Sequence, residues 1–283
     1  MQSFDHILKS GRVRLLGLLL LLWSSFSVAE QVEVRVKGDF PELQKNAEAF
    51  IGEVEGRSAD NLRRYASTAV SQANKALRAL GYYRPVVDWK IEEADAEKTA
   101  KLILEITPGD PVRVKSRTVE IRGPAASDPR FKDNLPVHPA EGDVLNHGDY
   151  TNLRNTLQNR ARRRGYFDGR LVTRTLEVDP EALSAKIVLV FESGDRYRLG
   201  AVTFEEGHWF ESRLLHEFVT FEPGVPYHAD EIAKLNSDLL GSGYFSGVDI
   251  DAVPGSAENG VIPVRIGLTR RDPRSLATGL GFS

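Results

Sequence analysis

The side chains that could do chemistry are few and badly placed for catalysis. His6, His138, His147, His208, His216 and His228 show no metal-ligand spacing, and the chain has no cysteine to supply a thiolate. No Gly-x-Ser-x-Gly elbow, phosphate loop or dinucleotide fingerprint occurs, and Glu205 and Glu206 read as solvated loop charge. The expectation is no enzyme, no cofactor and no metal. Two groups remain. Arg160, Arg162, Arg163 and Arg164 either complement the dipole at a helix C-terminus or meet an anionic head group or client. Three Gly-aromatic-aromatic triplets, Gly81-Tyr82-Tyr83, Gly165-Tyr166-Phe167 and Gly243-Tyr244-Phe245, either offer stacking surfaces or end helices. The second reading has the simpler physics: glycine takes a left-handed helix end without strain, and the aromatic packs back on the last turn.

The triplets also set the organisation. Their glycines stand 84 and 78 residues apart. A period near 80 with a constant element order is a tandem array of small domains, being about twice the length of a solenoid unit. In the first repeat Val32, Val34 and Val36 alternate as a half-buried strand. A short helix opens at Asp39 and Pro41 and carries Leu43, Ala47 and Phe50 or Ile51. Ser58 caps a long helix with the stripe Leu62, Tyr65, Ala69, Ala73, Ala76 or Leu77, and Leu80, which Gly81 stops. Strands follow at Val86 to Ile91 and Lys101 to Ile106, joined by a charged turn over 92–98.

The second repeat has a strand at Thr118 to Ile121, a short helix at Asp128 to Leu135, and a long helix through Tyr150, Leu153, Leu157 and Ala161. Its later strands lie near Leu171 to Val178 and Ala185 to Phe191. The third has Ala201 to Phe204, a helix from Glu211 to Val219 and another through Ile232, Leu235 and Leu239. Strands at Val248 to Val253 and Val261 to Leu268 close it. Each repeat is β-α-α-β-β, which predicts an α+β fold: a mixed three-stranded sheet under two helices, three times over. Pro263 inside the last strand removes a ladder donor, so either a bulge sits there or the register differs.

Lys9, Arg12 and Arg14 precede the apolar run Leu15 to Trp23, and Ser27 and Ala29 follow at small-residue cleavage positions. This predicts a secretory signal peptide over 1–29, too short for the roughly 20 residues of a spanning helix. The whole chain holds 37 Lys/Arg against 40 Asp/Glu, a net −3, which gives nucleic acid no basic stripe to bind. Without disulfides, an exported chain must rely on hydrophobic cores.

The element order, the Gly-aromatic pairs and the junctions Pro108-Gly109-Asp110-Pro111-Val112 and Ser193-Gly194-Asp195-Arg196-Tyr197-Arg198-Leu199-Gly200 together resemble POTRA domains. Three modules, the helix ending Arg162-Arg163-Arg164-Gly165-Tyr166-Phe167 and the stretch Gly224-Val225-Pro226-Tyr227 resemble the TamA-like branch of outer-membrane assembly proteins in particular. BamA-like and two-partner secretion components share the module but are disfavoured by module count. The expected units are 30–110, 111–195 and 196–271. Residues 272–283, with Leu276-Ala277-Thr278-Gly279-Leu280-Gly281-Phe282, look like the first strand of an outer-membrane barrel that is missing here, as in a truncated product.

The resemblance implies that the last strand of each module is central and the middle one lies on an edge. That nominates Val86, Val87, Trp89 and Ile91, then Leu171, Val172, Leu176 and Val178, then Val248 and Ile250 as edges where an extended client adds by β-augmentation. The plainer alternative for any one of them is an ordinary solvated strand. The implied setting is the periplasmic face of the outer membrane. The implied partners are outer-membrane protein or autotransporter clients and a TamB-like inner-membrane-anchored protein. The rival is a stand-alone periplasmic protein-binding scaffold.

Overall fold

The computed structural model describes residues 31–54, 56–93, 99–205 and 210–272. The leader expected over 1–29, most of the turn expected over 92–98 and the strand expected over 276–282 lie outside them.

In the first unit, β1 (Val32–Val36) buries Val32 and Val34. Helix α1 (Pro41–Ile51) starts on Pro41, whose fixed φ and missing N–H suit the first helical position. Phe40, not Asp39, occupies the N-cap, and no side chain caps it. Leu43, Ala47 and Ile51 face inward while Phe50 is exposed. Helix α2 (Ala59–Ala79) buries Leu62, Ala66, Ala69, Ala73, Ala76 and Leu77 completely. Alanine at four of these six positions removes side-chain bulk, so the helix backbone lies close on the sheet. Ala66 joins the stripe, and Tyr65 and Leu80 at its margins are only half-buried. Ser58 Oγ accepts the Asn61 N–H at 3.4 Å. Ser58→Ala is expected to cost about 1 kcal/mol in urea unfolding, the usual worth of an N-cap oxygen.

Strands β2 (Val86–Glu92) and β3 (Lys101–Thr107) complete this unit. The second contains β4 (Arg113–Arg122), a 3₁₀ turn (Pro124–Ser127), α3 (Pro129–Lys132), α4 (His147–Arg163), β5 (Arg170–Asp179) and β6 (Ser184–Glu192). The third contains β7 (Arg198–Phe204), α5 (Ser212–His216), α6 (Ala229–Gly241), β8 (Phe245–Asp251) and β9 (Val261–Arg270). The short helices are shorter than their sequences suggest. After α3 the chain turns at Asn134, φ 52°, and the Arg160 guanidinium reaches across to the freed carbonyls of Phe131 (2.6 Å), Asp133 and Asn134 (3.3 Å). A side chain from α4 thus ends α3, an influence no local pattern carries.

Three sheets result among the described residues, ordered β1-β3-β2, β4-β6-β5 and β7-β9-β8. In each the last strand is central, parallel to the first and antiparallel to the middle one. Each sheet and its helices enclose a separate apolar core, with Leu104, Leu189 and Val264 of the central strands fully buried in theirs.

Pro263 turns its donor-less nitrogen away from β7 and toward β8, because even-numbered residues of β9 face β7, as the Glu205 N–H to Ile266 O bond shows. Leu199 pairs with Ile262 and Val202 with Val264, so Gly200 and Ala201 together oppose the one proline. On the other side β8 stops pairing at Asp251, opposite Arg265. A bulge also lies between Val114 and Ser116 of β4, where no proline faces it, so the bulge in β7 recurs in the fold independently of Pro263. A Cβ on Gly200 would stand 2.9 Å from the Ile262 carbonyl oxygen, which is why glycine is needed at this bulge.

Candidate functional site: open sheet edges and the joints between units

The nominated strands β2, β5 and β8 each lie at a sheet edge. The direction of their backbone groups follows from neighbouring bonds. Leu102 N–H donates to the Gln31 carbonyl and Lys37 N–H to that of Ile106, each at 2.8 Å. Even-numbered residues of β3 therefore face β1, and odd-numbered ones face β2. Because Lys101, Ile103, Glu105 and Thr107 pair with Glu92, Lys90, Asp88 and Val86, these four β2 residues make the ladder bonds. Val87, Trp89 and Ile91 turn their N–H and C=O outward to the free edge.

The same parity runs through the other units. Ser193 N–H donates to Arg122 (3.2 Å), which leaves Leu171, Arg174, Leu176 and Val178 of β5 facing outward. Glu205 N–H donates to Ile266 (2.9 Å), which does the same for Val248 and Ile250 of β8.

Two nominated residues depart from this. Val86 is a ladder residue, 58% exposed. Val172 is the extra residue of a bulge between Leu171 and Thr173, so it is not a regular edge position.

The three edges are not equal. Strand β2 pairs without interruption from Val86 to Glu92 and exposes Trp89 (46%) as well as Val86. Strand β5 is bulged at Val172 and β8 at Ser246, and bulges twist an edge away from flat pairing. On the opposite side of the second and third sheets the starts of β4 and β7 are covered. Leu145 N–H donates to Val112 O (2.9 Å), Gly142 N–H to Val114 O (2.8 Å), Tyr227 N–H to Tyr197 O (2.9 Å) and Gly224 N–H to Leu199 O (2.6 Å). The open face of the first sheet is a charge lattice. Glu33 pairs with Arg35 (2.6 Å) and Lys90 with Glu105 (2.5 Å), over a fully buried Ile103. Lys90 pulls the Glu105 carboxyl below its ordinary range. Such charges discourage indiscriminate edge pairing.

The Gly-aromatic triplets divide their work. Tyr82 packs on the first core and against Phe40, and Tyr166 is buried in the second core at 5.6 Å from Phe131. In the first two triplets the second aromatic crosses to the next unit. Tyr83 packs on the second core, its hydroxyl 2.5 Å from His147 Nε2. Phe167 packs on the third core between Tyr197 (5.4 Å) and Tyr227 (4.9 Å). In the third triplet Phe245 is buried in its own core and Tyr244 is 56% exposed.

The glycines complete these joints: Gly81 O accepts the Val112 N–H (2.9 Å) and Gly165 O accepts that of Tyr197 (2.8 Å). Burial lowers the His147 pKa and raises that of Tyr83, so the two meet as neutral groups near neutrality.

Three of the four arginines have structural partners. Arg160 takes the α3 carbonyls and Arg163 pairs with Asp230 (2.7 Å). Arg164 donates to Asp128 at 2.8 and 3.0 Å, and both side chains are about nine-tenths buried. Tyr166 O–H donates to the same carboxylate (3.2 Å), and Arg196 lies 3.7 Å away. Burial opposes ionisation of Asp128, but the Arg164 hydrogen bonds and charge, with Tyr166 and Arg196 behind them, outweigh it and hold the carboxyl below its ordinary range. Nothing in the sequence pattern marks this cluster, because its members come from separate elements.

Among the described residues no group of three His, Asp or Glu side chains could hold a metal, and no helix is long and apolar enough to cross a membrane. His208 lies outside the described residues, as does Glu206.

A family profile described as POTRA domain, TamA domain 1, matches residues 33–108, and one described as POTRA, surface antigen variable number repeat, matches 114–194. Together they cover more than half of the chain. Among solved structures, POTRA3-5 of BamA from Haemophilus influenzae is 14% identical, with 86% of this chain and 96% of that one covered and a TM-score of 0.45. POTRA1-3 of Omp85 from Anabaena is 17% identical over 86% and 95%, with a TM-score of 0.30. CdiB from Escherichia coli is 16% identical over 78% of this chain and 37% of its own, with a TM-score of 0.32.

Proposed function

The chain belongs to the POTRA-domain family, and from that premise we propose that it is the periplasmic part of a TamA-like factor that assembles or secretes outer-membrane proteins. Its work is to hold extended polypeptide by strand addition, and it is not an enzyme. The observation that carries this reading is the β2 edge, where Val87, Trp89 and Ile91 face outward in an unbulged strand. Main-chain hydrogen bonds along such an edge bind a strand with little regard to its sequence, which suits a protein with many clients. Outer-membrane β-barrel proteins and autotransporters are the client class. A TamB-like partner anchored in the inner membrane is a second user of the same kind of edge. Export through the leader over 1–29 and residence at the periplasmic face of the outer membrane belong to the same proposal.

Substitutions at Trp89 separate backbone from side-chain recognition. Trp89→Pro deletes an outward N–H and leaves the β2–β3 ladder in place, since Trp89 is a non-ladder residue. Trp89→Ala deletes only the ring. With a urea-unfolded outer-membrane barrel protein diluted onto the chain, photocrosslinking at β2 should be largely lost in Trp89→Pro and largely kept in Trp89→Ala. Full capture by the proline variant would remove the first edge from the proposal, and the matching variants Leu176→Pro and Ile250→Pro then decide whether the other edges carry the activity.

A further inference from the structure

Strand β2 carries a charge pattern that complements itself when the strand is turned end for end. Asp88 and Lys90 flank Trp89 in a strand of seven residues that pairs without a bulge. Val87, Trp89 and Ile91 hold their N–H and C=O outward, so two copies of this edge pair antiparallel only through those residues. A two-fold axis at Trp89 sets Trp89 against the copy's Trp89 and Val87 against the copy's Ile91, each a pair that exchanges both backbone bonds. Between them Asp88 meets the copy's Lys90, and Lys90 the copy's Asp88, with Cα atoms ~4.5 Å apart as in any non-hydrogen-bonded pair. A two-fold interface requires this reciprocity, each residue meeting on the copy the one that meets it.

The neighbouring registers fail on charge or on length. An axis at Asp88 opposes the two Asp88 carboxylates, and one at Lys90 opposes the two ammonium groups and sets Asp88 on the copy's Glu92. An axis at Val87 sets Lys90 on the copy's Arg84, and like charges directly opposite are destabilising. An axis at Ile91 leaves Val86 to Trp89 opposite residues beyond β2. The other edges lack the pattern. In β8 the neighbours of Ile250 are Asp249 and Asp251, which would oppose each other, in β5 those of Leu176 are Thr175 and Glu177, and both strands are bulged.

A single copy leaves two of these groups unsatisfied. Asp88 lies directly across from Glu105 of β3, whose carboxylate takes Lys90 (2.5 Å), and among the described residues nothing pairs with the Asp88 carboxylate. Trp89 stands 46% exposed at the edge. The copy's Lys90 gives Asp88 its counter-charge with a donor that Glu105 does not use, and the copy's Trp89 covers the ring. We propose that the chain forms a two-fold dimer through its β2 edges, paired antiparallel about Trp89, so that two first-unit sheets join as one. A strand of seven residues buries little surface, which puts this dimer in the weak, reversible class. It covers the same outward groups that a client strand needs, so pairing and capture exclude each other; only that consequence rests on the function proposed above.

Sedimentation velocity of the full chain, with no client present, should show monomer passing to dimer as the concentration rises toward ~1 mM, the range of weak association. Asp88→Lys and Lys90→Asp each set like charges against each other across the axis, and each alone should stay monomeric. Mixed in equal amounts they should associate again, because every contact between positions 88 and 90 is then opposite in charge. A variant that had merely lost its fold would gain nothing from mixing. Both substitutions in one chain restore the pattern and should associate as the parent does. A parent that stays monomeric, single variants that associate like the parent, or a mixture that does not recover would overturn the proposal. Client capture is measured separately, by crosslinking in dilute solution. Capture without dimers removes the pairing alone, and dimers without capture remove the client reading alone.

Discussion

Asp128→Ala is expected to remove about 3–5 kcal/mol from the stability of the second unit, the range found when one partner of a buried ion pair is deleted. The reason is what remains behind. Arg164 and Asp128 are each about nine-tenths buried, so without the carboxylate the Arg164 guanidinium keeps its burial and loses both hydrogen bonds. The Tyr166 hydroxyl loses its acceptor as well. Arg164→Met combined with Asp128→Ala should recover part of the loss, because an apolar chain no longer requires a counter-charge. Urea unfolding of the two variants beside the parent measures both effects, and a double variant no better than Asp128→Ala would contradict the account.

The pH dependence has a definite sign. The folded-state pKa of Asp128 lies below its ordinary 3.8, so the carboxylate contributes fully at pH values above that ordinary value. Its contribution fades as the pH falls through the lower folded-state value. The gap between parent and Asp128→Ala should therefore be flat from neutral pH down to about 4 and close in stronger acid.

The element order was legible because each module writes its two periodicities plainly: Val32, Val34 and Val36 alternate, and Leu62, Tyr65, Ala69, Ala73 and Ala76 advance by threes and fours. Long-range effects were not legible. Ala66 belongs to the buried stripe of α2, where methyl groups suffice and a hydropathy pattern prefers Tyr65. The shortness of α3 depends on Arg160, nearly thirty positions away. Pro263 announced an irregularity, but the sequence could not say that β8 stops pairing before it reaches the proline, nor that β4 and β7 bulge alike with a proline opposite only one of them.

The edges show the same division. Alternation alone assigns Val87, Trp89 and Ile91 one face. That they also point their backbone groups outward follows only from which β3 carbonyls and N–H groups β1 has taken. Val172 looks regular by alternation and sits at a bulge. Sequence reads the aromatic directly after each glycine as helix-end packing, and only the fold reveals that Tyr83 and Phe167, one position further on, belong to the next core.

The three glycines offer a comparison that the repeat itself controls. All take positive φ, +90° at Gly81, +79° at Gly165 and +80° at Gly243, so alanine at any of them should cost about 1–2 kcal/mol for the left-handed backbone. Their surroundings differ. A Cβ at Gly81 would stand 2.5 Å from the Leu145 carbonyl oxygen, and one at Gly165 would stand 2.7 Å from Tyr227 Cβ; at Gly243 nothing lies within 4 Å. The obstructing atoms at the first two belong to backbone and to a Cβ, not to the far end of a flexible side chain, so relief requires the next unit to move.

Gly81→Ala and Gly165→Ala should therefore cost about 1–3 kcal/mol more than Gly243→Ala, the usual range for forcing extra volume into a packed site. The added loss should appear as separation of neighbours: faster proteolysis in the links after β3 and β6, respectively, with each unit's own core still protected from hydrogen exchange. Gly243→Ala should change neither link. If all three variants unfold alike, the glycines serve only to end helices, and the joint that each of the first two makes with the following unit has no energetic weight of its own.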